Sequence, residues 1–418
     1  RVQAERMSIP SRTTVNSAGF YRHACAWLLA LGLTTGMPSA RSGQDGLSPQ
    51  TYQRLNTIHG LIDEGKSGAA LTALDELLQA VGQRRYERAV VLQNLAHVQA
   101  GRGDYLAAIK AFGESLSLDA LPDTAAQQMR YNLAQLYLVT DVPARAITVL
   151  EQWFEHADSP PAEAWLLLGH AHARLGDYRA AVPALQQAIR LAGNPHADWY
   201  ESLLAMHYEL RSYAECAVLL EQMIRLFPGN DAYWRQLSGI YLTMDRPSRA
   251  LAVQELVWQT GRMTSEADLL QLAQLYLYQE IPFKAARLLE DAMQTGEISG
   301  NTGNRTLLAT AWALARERDQ AIRSYRLAAQ TSTDADVDFT LAQLYLEDER
   351  WSEAAQALEA ALEKPGLKAP GTAWLLLGIA RYELDATGSA LEAFTKASNF
   401  ENSRKPARQW LEHLEQKP

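Results

Sequence analysis

The sequence predicts an all-α chain, a solenoid of about ten helix-turn-helix repeats closed by a C-terminal capping helix. Three observations carry that prediction. The string AWLLLG occurs twice, at Ala164 and at Ala373. Around the copies, apolar and small residues recur at matching offsets: Trp165, Leu168, Gly169, Ala181, Leu185 and Ala188 in one, and Trp374, Leu377, Gly378, Ala390, Phe394 and Ala397 in the other. Spacings of three, four and seven residues put such side chains on one helical face. Finally, Pro143, Pro247 and Pro282 fall at the same point of the period, where a fixed φ and a missing N–H suit the first turn of a helix.

Composition agrees with a packed chain. The 418 residues are 47% hydrophobic and 21% charged, which excludes disorder of the whole chain. With 48 acidic against 39 basic residues the net charge is −9. The basic surplus expected of a protein that binds nucleic acid or anionic lipid is therefore missing. Cys25 and Cys216 are the two cysteines, too few for a disulfide framework or a four-ligand zinc site, so stability rests on packing.

The amino end reads as an address. Met7 opens a stretch with Arg12 and Arg22 that turns apolar from Ala24 to Leu33. That run is shorter than the roughly 20 residues of a membrane span and has the form of a secretory signal. Residues 1–42 are read as a signal peptide with the residues upstream of it, cleaved after Ala40 or Ser42; left uncleaved, the segment would serve as an anchor. Cleavage would remove Cys25 and leave Cys216 alone.

The repeat array occupies residues 51–404. Its units start near Thr51, Ala89, Gln127, Ala162, Ala197, Asp231, Glu266, Thr302, Ala335 and Gly371, at spacings of 33 to 38 residues. Position 20 of the unit is alanine throughout, save for Cys216 in the fifth. A small residue is needed there because two helices cross closely, so Cys216 is read as a small core hydrophobe rather than a reactive thiol. Position 17, the start of each second helix, carries Tyr105, Pro143, Tyr178, Tyr213, Pro247, Pro282 and Trp351. Pro122, Pro160, Pro195, Pro228 and Pro365, with glycines nearby, end second helices. One continuous solenoid is expected, with room for a bend between Thr295 and Asn304. Residues 405–418 follow as the capping helix, Trp410, Leu411 and Leu414 forming its apolar face.

Catalytic signatures are missing from the string: no Gly-x-Ser-x-Gly, no His-Glu-x-x-His and no Walker loop. Gly101 and Gly103 are turn glycines. His170 and His172, two apart on a helix, point about 200° apart and cannot share a ligand. Asp63-Glu64 and Asp75-Glu76 are read as solvated surface. The chain is expected not to be an enzyme, and to hold no metal or cofactor.

The pattern of tryptophan, leucine and glycine on a first helix, then alanine, a large apolar residue and alanine on a second, at a period near 34, resembles the tetratricopeptide repeat. The resemblance implies a right-handed superhelix whose first helices line a concave groove that binds a peptide or protein. The family's groove positions (fifth, ninth, twelfth and thirteenth) fall here on His97, Tyr131, Gln135, His170, Glu201, Tyr208, Arg235, Gln274, Tyr278, Gln343 and Tyr382. This mix of polar and aromatic side chains suits an extended backbone. No unit pairs a basic fifth position with an asparagine at the ninth, so the carboxylate clamp of chaperone-binding members is not expected.

RYNLAQLYL from Arg130, DWYESLLAMHYEL from Asp198, LQLAQLYLYQEIPFKAARLLEDAM from Leu270 and AWLLLGIARYEL from Ala373 look like a bacterial group of secreted repeat proteins. That group is encoded beside the TonB, ExbB and ExbD energy-transducing genes of Gram-negative bacteria. The likeness implies a periplasmic accessory of TonB-dependent uptake. Its protein partners would be TonB, ExbB or ExbD components or a TonB-dependent receptor, and an uncleaved signal would fix it to the inner membrane. An envelope scaffold for polysaccharide export or outer-membrane assembly is the alternative.

Overall fold

The computed structural model describes residues 46–415; the signal-peptide reading falls outside them. Every regular element among the described residues is an α-helix, and the helices form ten pairs followed by one further helix. The chain divides into two compact units at Asn230/Asp231. The first unit holds α1 (Pro49–Asp63), α2 (Ser67–Val81), α3 (Arg85–Gly101), α4 (Tyr105–Ser117), α5 (Asp123–Val139), α6 (Pro143–Glu155), α7 (Ala162–Leu175), α8 (Tyr178–Leu191), α9 (Ala197–Glu209) and α10 (Tyr213–Leu226). The second holds α11 (Asp231–Thr243), α12 (Pro247–Gln259), α13 (Glu266–Tyr278), α14 (Pro282–Thr295), α15 (Thr302–Leu314), α16 (Arg318–Ala329), α17 (Ala335–Glu347), α18 (Trp351–Glu363), α19 (Pro370–Glu383), α20 (Thr387–Ser398) and α21 (Glu401–Glu415). Odd-numbered helices up to α19 are the first helices of repeats 1 to 10, and even-numbered ones the second.

Repeats 4 to 9 begin on the residues the sequence predicts, from Ala162 to Ala335, and α19 starts one residue before Gly371. In repeats 2 and 3 the first helix begins earlier, at Arg85 and Asp123, and runs for 17 residues. A tertiary contact secures the extra turn of α3. Its buried Glu87 accepts hydrogen bonds from the Ser48 N–H at 2.9 Å and the Thr51 hydroxyl at 2.8 Å, both at the start of α1.

The turn within each repeat is built one way throughout. Position 15 takes a left-handed backbone: glycine does this in repeats 1, 2 and 4 (Gly65, Gly103, Gly176), and Asp141, Arg211, Asp245, Glu280, Arg316, Glu349 and Asp385 do it in the other seven at φ of 55 to 61°. The next N–H then reaches back to the carbonyl of position 11, as Val142 does to Tyr137 at 2.8 Å and Ile281 to Tyr276 at 2.9 Å. This closes the C-terminus of the first helix. Pro143, Pro247 and Pro282 follow at the first turns of α6, α12 and α14, as predicted.

The core lies between paired helices. All ten residues at position 20, Cys216 included, are 0% exposed. Burial pushes the Cys216 thiol up to about 11, which disfavours a reactive thiolate. At position 8 the contact is closer still. A Cβ built on Gly169 would stand 2.7 Å from Leu185, and one on Gly378 would stand 2.5 Å from Phe394. Position 24, opposite that small site, is Leu, Phe or Tyr in nine repeats and Gln254 in repeat 6.

The C-terminal helix caps the second unit. Trp410 stacks on Phe394 with ring centroids 5.3 Å apart and planes 4° from parallel, and Leu414 is buried with Phe394 and Ala390. α21 starts at Glu401, four residues before the start at 405 that the sequence predicts. The polar first turn is held because the buried Ser403 donates to Ala397 O at 2.7 Å and packs close to Gly371.

Candidate partner-binding face

Each first helix keeps a face that its second helix does not cover, and the predicted groove residues can be placed on these faces unit by unit. In the first unit, Glu201 and Tyr208 of α9 are exposed, the tyrosine by 50%. Tyr208 meets Tyr213 edge-on at 5.8 Å. Tyr131 is half-buried, tilted against Trp153 at 5.5 Å; Trp153, Phe154 and Trp165 continue the aromatic cluster toward repeat 4. Burial and the Glu163 charge push the Tyr131 hydroxyl up to about 12, so it stays a hydrogen-bond donor. Gln135 is half-buried.

His97 and His170 belong to a pattern the groove positions alone do not reveal. Position 9 of one repeat bonds to position 6 of the next: His59 Nε2 lies 2.7 Å from Asn94 Oδ1, His97 Nε2 3.3 Å from Asn132 Nδ2, and His170 Nε2 3.4 Å from Ser202 Oγ. The surrounding bonds fix the roles. Asn94 Nδ2 already donates to Val90 O, so its Oδ1 accepts from His59. Asn132 Oδ1 accepts from Gln128, so its Nδ2 donates to an unprotonated His97 Nε2. The Ser202 hydroxyl donates to Asp198 O, leaving its lone pair for the His170 N–H. Burial lowers the His97 pKa. Burial and the Arg174 charge hold His170 down at about 4. Both imidazoles are thus neutral near pH 7 and work as hydrogen-bonding groups rather than charges. The sequence signal for this ladder was a polar residue at position 6 of successive first helices, which the family's groove positions pass over.

In the second unit Arg235, Gln274, Tyr278 and Gln343 are exposed on α11, α13 and α17, Tyr278 by 61%. Near Tyr278 along the chain stands Phe283, 51% exposed and edge-on to Trp312 at 5.6 Å. Tyr382 is placed differently: it lies against the capping helix, 5.1 Å from the Trp410 ring, with its hydroxyl 3.4 Å from His413 Nε2. Its ring surface is therefore largely engaged by the chain itself.

Each unit also holds a hollow. An open cleft of about 540 Å³ in the first unit is floored by Tyr200, Leu203 and Leu219 from α9 and α10. A small cavity of about 40 Å³ lies between repeats 6 and 7 in the second. Among the described residues, no three His, Cys, Asp or Glu side chains gather as a metal site. No described helix is long and apolar enough to cross a membrane.

Paired antiparallel helices joined by a uniform turn, stacked with a period near 34 residues, define a helical-repeat protein that presents a recurrent face. Tetratricopeptide-repeat profiles match residues 162–195, which span repeat 4, and residues 339–403, which fall in repeats 9 and 10. These segments of the chain carry tetratricopeptide repeats. No curated protein matches it. Among solved structures, a tetratricopeptide repeat protein from Parabacteroides merdae is 17% identical over 63% of this chain and 99% of its own, with a TM-score of 0.38. MamA from Desulfovibrio magneticus RS-1 is 21% identical over 44% of this chain and 99% of its own, at 0.37. YrrB, described as a tetratricopeptide-repeat protein with an unusual peptide-binding site, is 17% identical over 42% and 88%, at 0.35.

Proposed function

We propose that the chain is a non-catalytic scaffold that binds a protein partner on the faces that the first helices form in its units. The observation that carries this reading is an exposed tyrosine on the first-helix face of each unit, Tyr208 with polar Glu201 in the first and Tyr278 with polar Arg235, Gln274 and Gln343 in the second. Large aromatic side chains left half or more in water, flanked by hydrogen-bonding neighbours, are the composition of binding surfaces. Two of the eleven face residues, Tyr131 and Tyr382, are instead engaged in packing.

We place the scaffold in the bacterial periplasm, delivered by the signal-like segment Ala24 to Leu33. There it serves a TonB-dependent uptake system, touching TonB, ExbB, ExbD or a TonB-dependent receptor. The support for this is the likeness of the segments from Arg130, Asp198, Leu270 and Ala373 to the TonB-associated repeat proteins. Crosslinking in the producing cells, followed by capture of the full chain and identification of what comes with it, tests the reading. Recovery of a TonB-system component is the expected result. Recovery of export or assembly machinery would discard the TonB role in favour of an envelope scaffold, and a purely cytoplasmic catch would overturn the periplasmic assignment.

A further inference from the structure

Gln254 breaks the rule of its position. Nine repeats put a leucine, phenylalanine or tyrosine at position 24, and repeat 6 buries an amide there, 7% exposed. Its Nε2 donates to Ser238 Oγ at 3.0 Å, and the Ser238 hydroxyl is directed at Ala250 O at 3.4 Å. Since that hydroxyl can only accept from Gln254, the amide is fixed with Oε1 left over, and Oε1 is buried without a hydrogen-bond partner. The indole Nε1 of Trp234 is buried without one as well. Both residues line the cavity of about 40 Å³ between repeats 6 and 7, together with Ser238, Arg235, Gln271 and Asp268. Arg235 and Gln271 are exposed and stand on the first helices α11 and α13, so the cavity lies under the proposed binding face.

An occupant of this cavity must accept from the Trp234 N–H and donate to the Gln254 carbonyl. A carboxylate offers no donor, and an ammonium or guanidinium offers no acceptor. The volume is about that of three water-sized centres, since one water needs roughly 10–15 Å³ on this measure. A primary carboxamide has three heavy atoms, one accepting and one donating. We propose that the cavity takes the side-chain carboxamide of an asparagine or glutamine of the bound partner, and that this pocket sets which residue of the partner sits at repeat 6. The proposal rests on the partner-binding reading of the first-helix face.

The first test needs no partner. Propionamide titrated into the full chain is expected to shift one indole N–H resonance among the ten tryptophans, saturably, and Trp234→Phe identifies that resonance as Trp234. N,N-dimethylpropionamide, which cannot donate, should leave it in place, as should propionamide added to Gln254→Leu, the variant carrying the residue most other repeats use. A Trp234 resonance unmoved by propionamide, moved equally by the dimethyl amide, or still moved in Gln254→Leu overturns the pocket and leaves a cavity holding ordered water only. With the captured partner, Gln254→Leu is expected to bind roughly tenfold more weakly, the effect of one buried hydrogen-bonded pair. If that variant binds as tightly as wild type while Tyr278→Ala is weakened, the pocket falls and the face stands. If Tyr278→Ala and Arg235→Ala also bind like wild type, the face falls with it.

Discussion

Seven repeats hold a side chain in the left-handed region at position 15, from Asp141 to Asp385. A non-glycine residue there is strained by roughly 1 kcal/mol, held in place by the turn that surrounds it. Glu280→Gly and Arg316→Gly are therefore expected to stabilise the second unit, each by up to about 1 kcal/mol less the extra freedom glycine gives the unfolded chain. A lowered urea midpoint in both would contradict this account of the turn. A second residue-level effect depends on pH. His170 has a folded pKa of about 4, below its ordinary 6.5, so the folded chain binds fewer protons there than the unfolded one. Its contribution is fully present above about pH 6.5 and is lost as pH falls toward about 4. Urea midpoints across that window should fall more steeply in wild type than in His170→Gln; parallel curves would sink the assignment. Some of this was legible in advance. Cys216 read as a core residue because its nine equivalents are alanine. The strained turn residues did not, since Arg and Glu carry no mark of a left-handed backbone, Asp only a weak preference for it, and the closing hydrogen bond to position 11 selects it.

Helix boundaries from repeat 4 to repeat 9 were legible because local chemistry sets them: a small site, a turn and a first-turn proline or aromatic residue agree on one phase. In repeats 2 and 3 the first helices start earlier than their patterns indicate. Glu87 secures the added turn of α3 by bonds to residues 36 and 39 positions away, which no local signal encodes. The capping helix is longer than its apolar face for a related reason, the Ser403 bond to Ala397 O. Packing at the close crossings is tight enough to test directly. Ala181→Trp or Ala390→Trp should destabilise its unit by several kcal/mol, since both sites are 0% exposed and even a few extra methylenes in a packed core cost about 1–3 kcal/mol, fewer atoms than an indole adds. An unchanged melting temperature would refute the repeat register. Trp410→Ala removes the ring stacked on Phe394. Half of the about 3–5 kcal/mol of a fully buried tryptophan is a fair expectation for this half-buried one, read as a lower thermal midpoint for the second unit.

Across the molecule, the repeat array and its closing helix could be read from the sequence, because each repeat restates the same packing rule. The face residues were legible only as positions. Tyr208 and Tyr278 stand exposed as the frame implies, whereas Tyr131 and Tyr382 are drawn into aromatic contacts with Trp153 and Trp410 from other helices. The polar ladder through Asn94, Asn132 and Ser202 stayed hidden, since it joins position 6 to the ninth position of the repeat before and becomes visible only when helices stack. What the chain does as a whole depends on whether the exposed face is used. The measurement that decides this is the affinity of the captured partner for the wild-type chain and for the Tyr208→Ala, Tyr278→Ala double variant, with helicity followed on both. The account predicts binding weaker by tenfold or more, the loss of about 1.4 kcal/mol or above, at unchanged helicity; equal affinity in the double variant would contradict it.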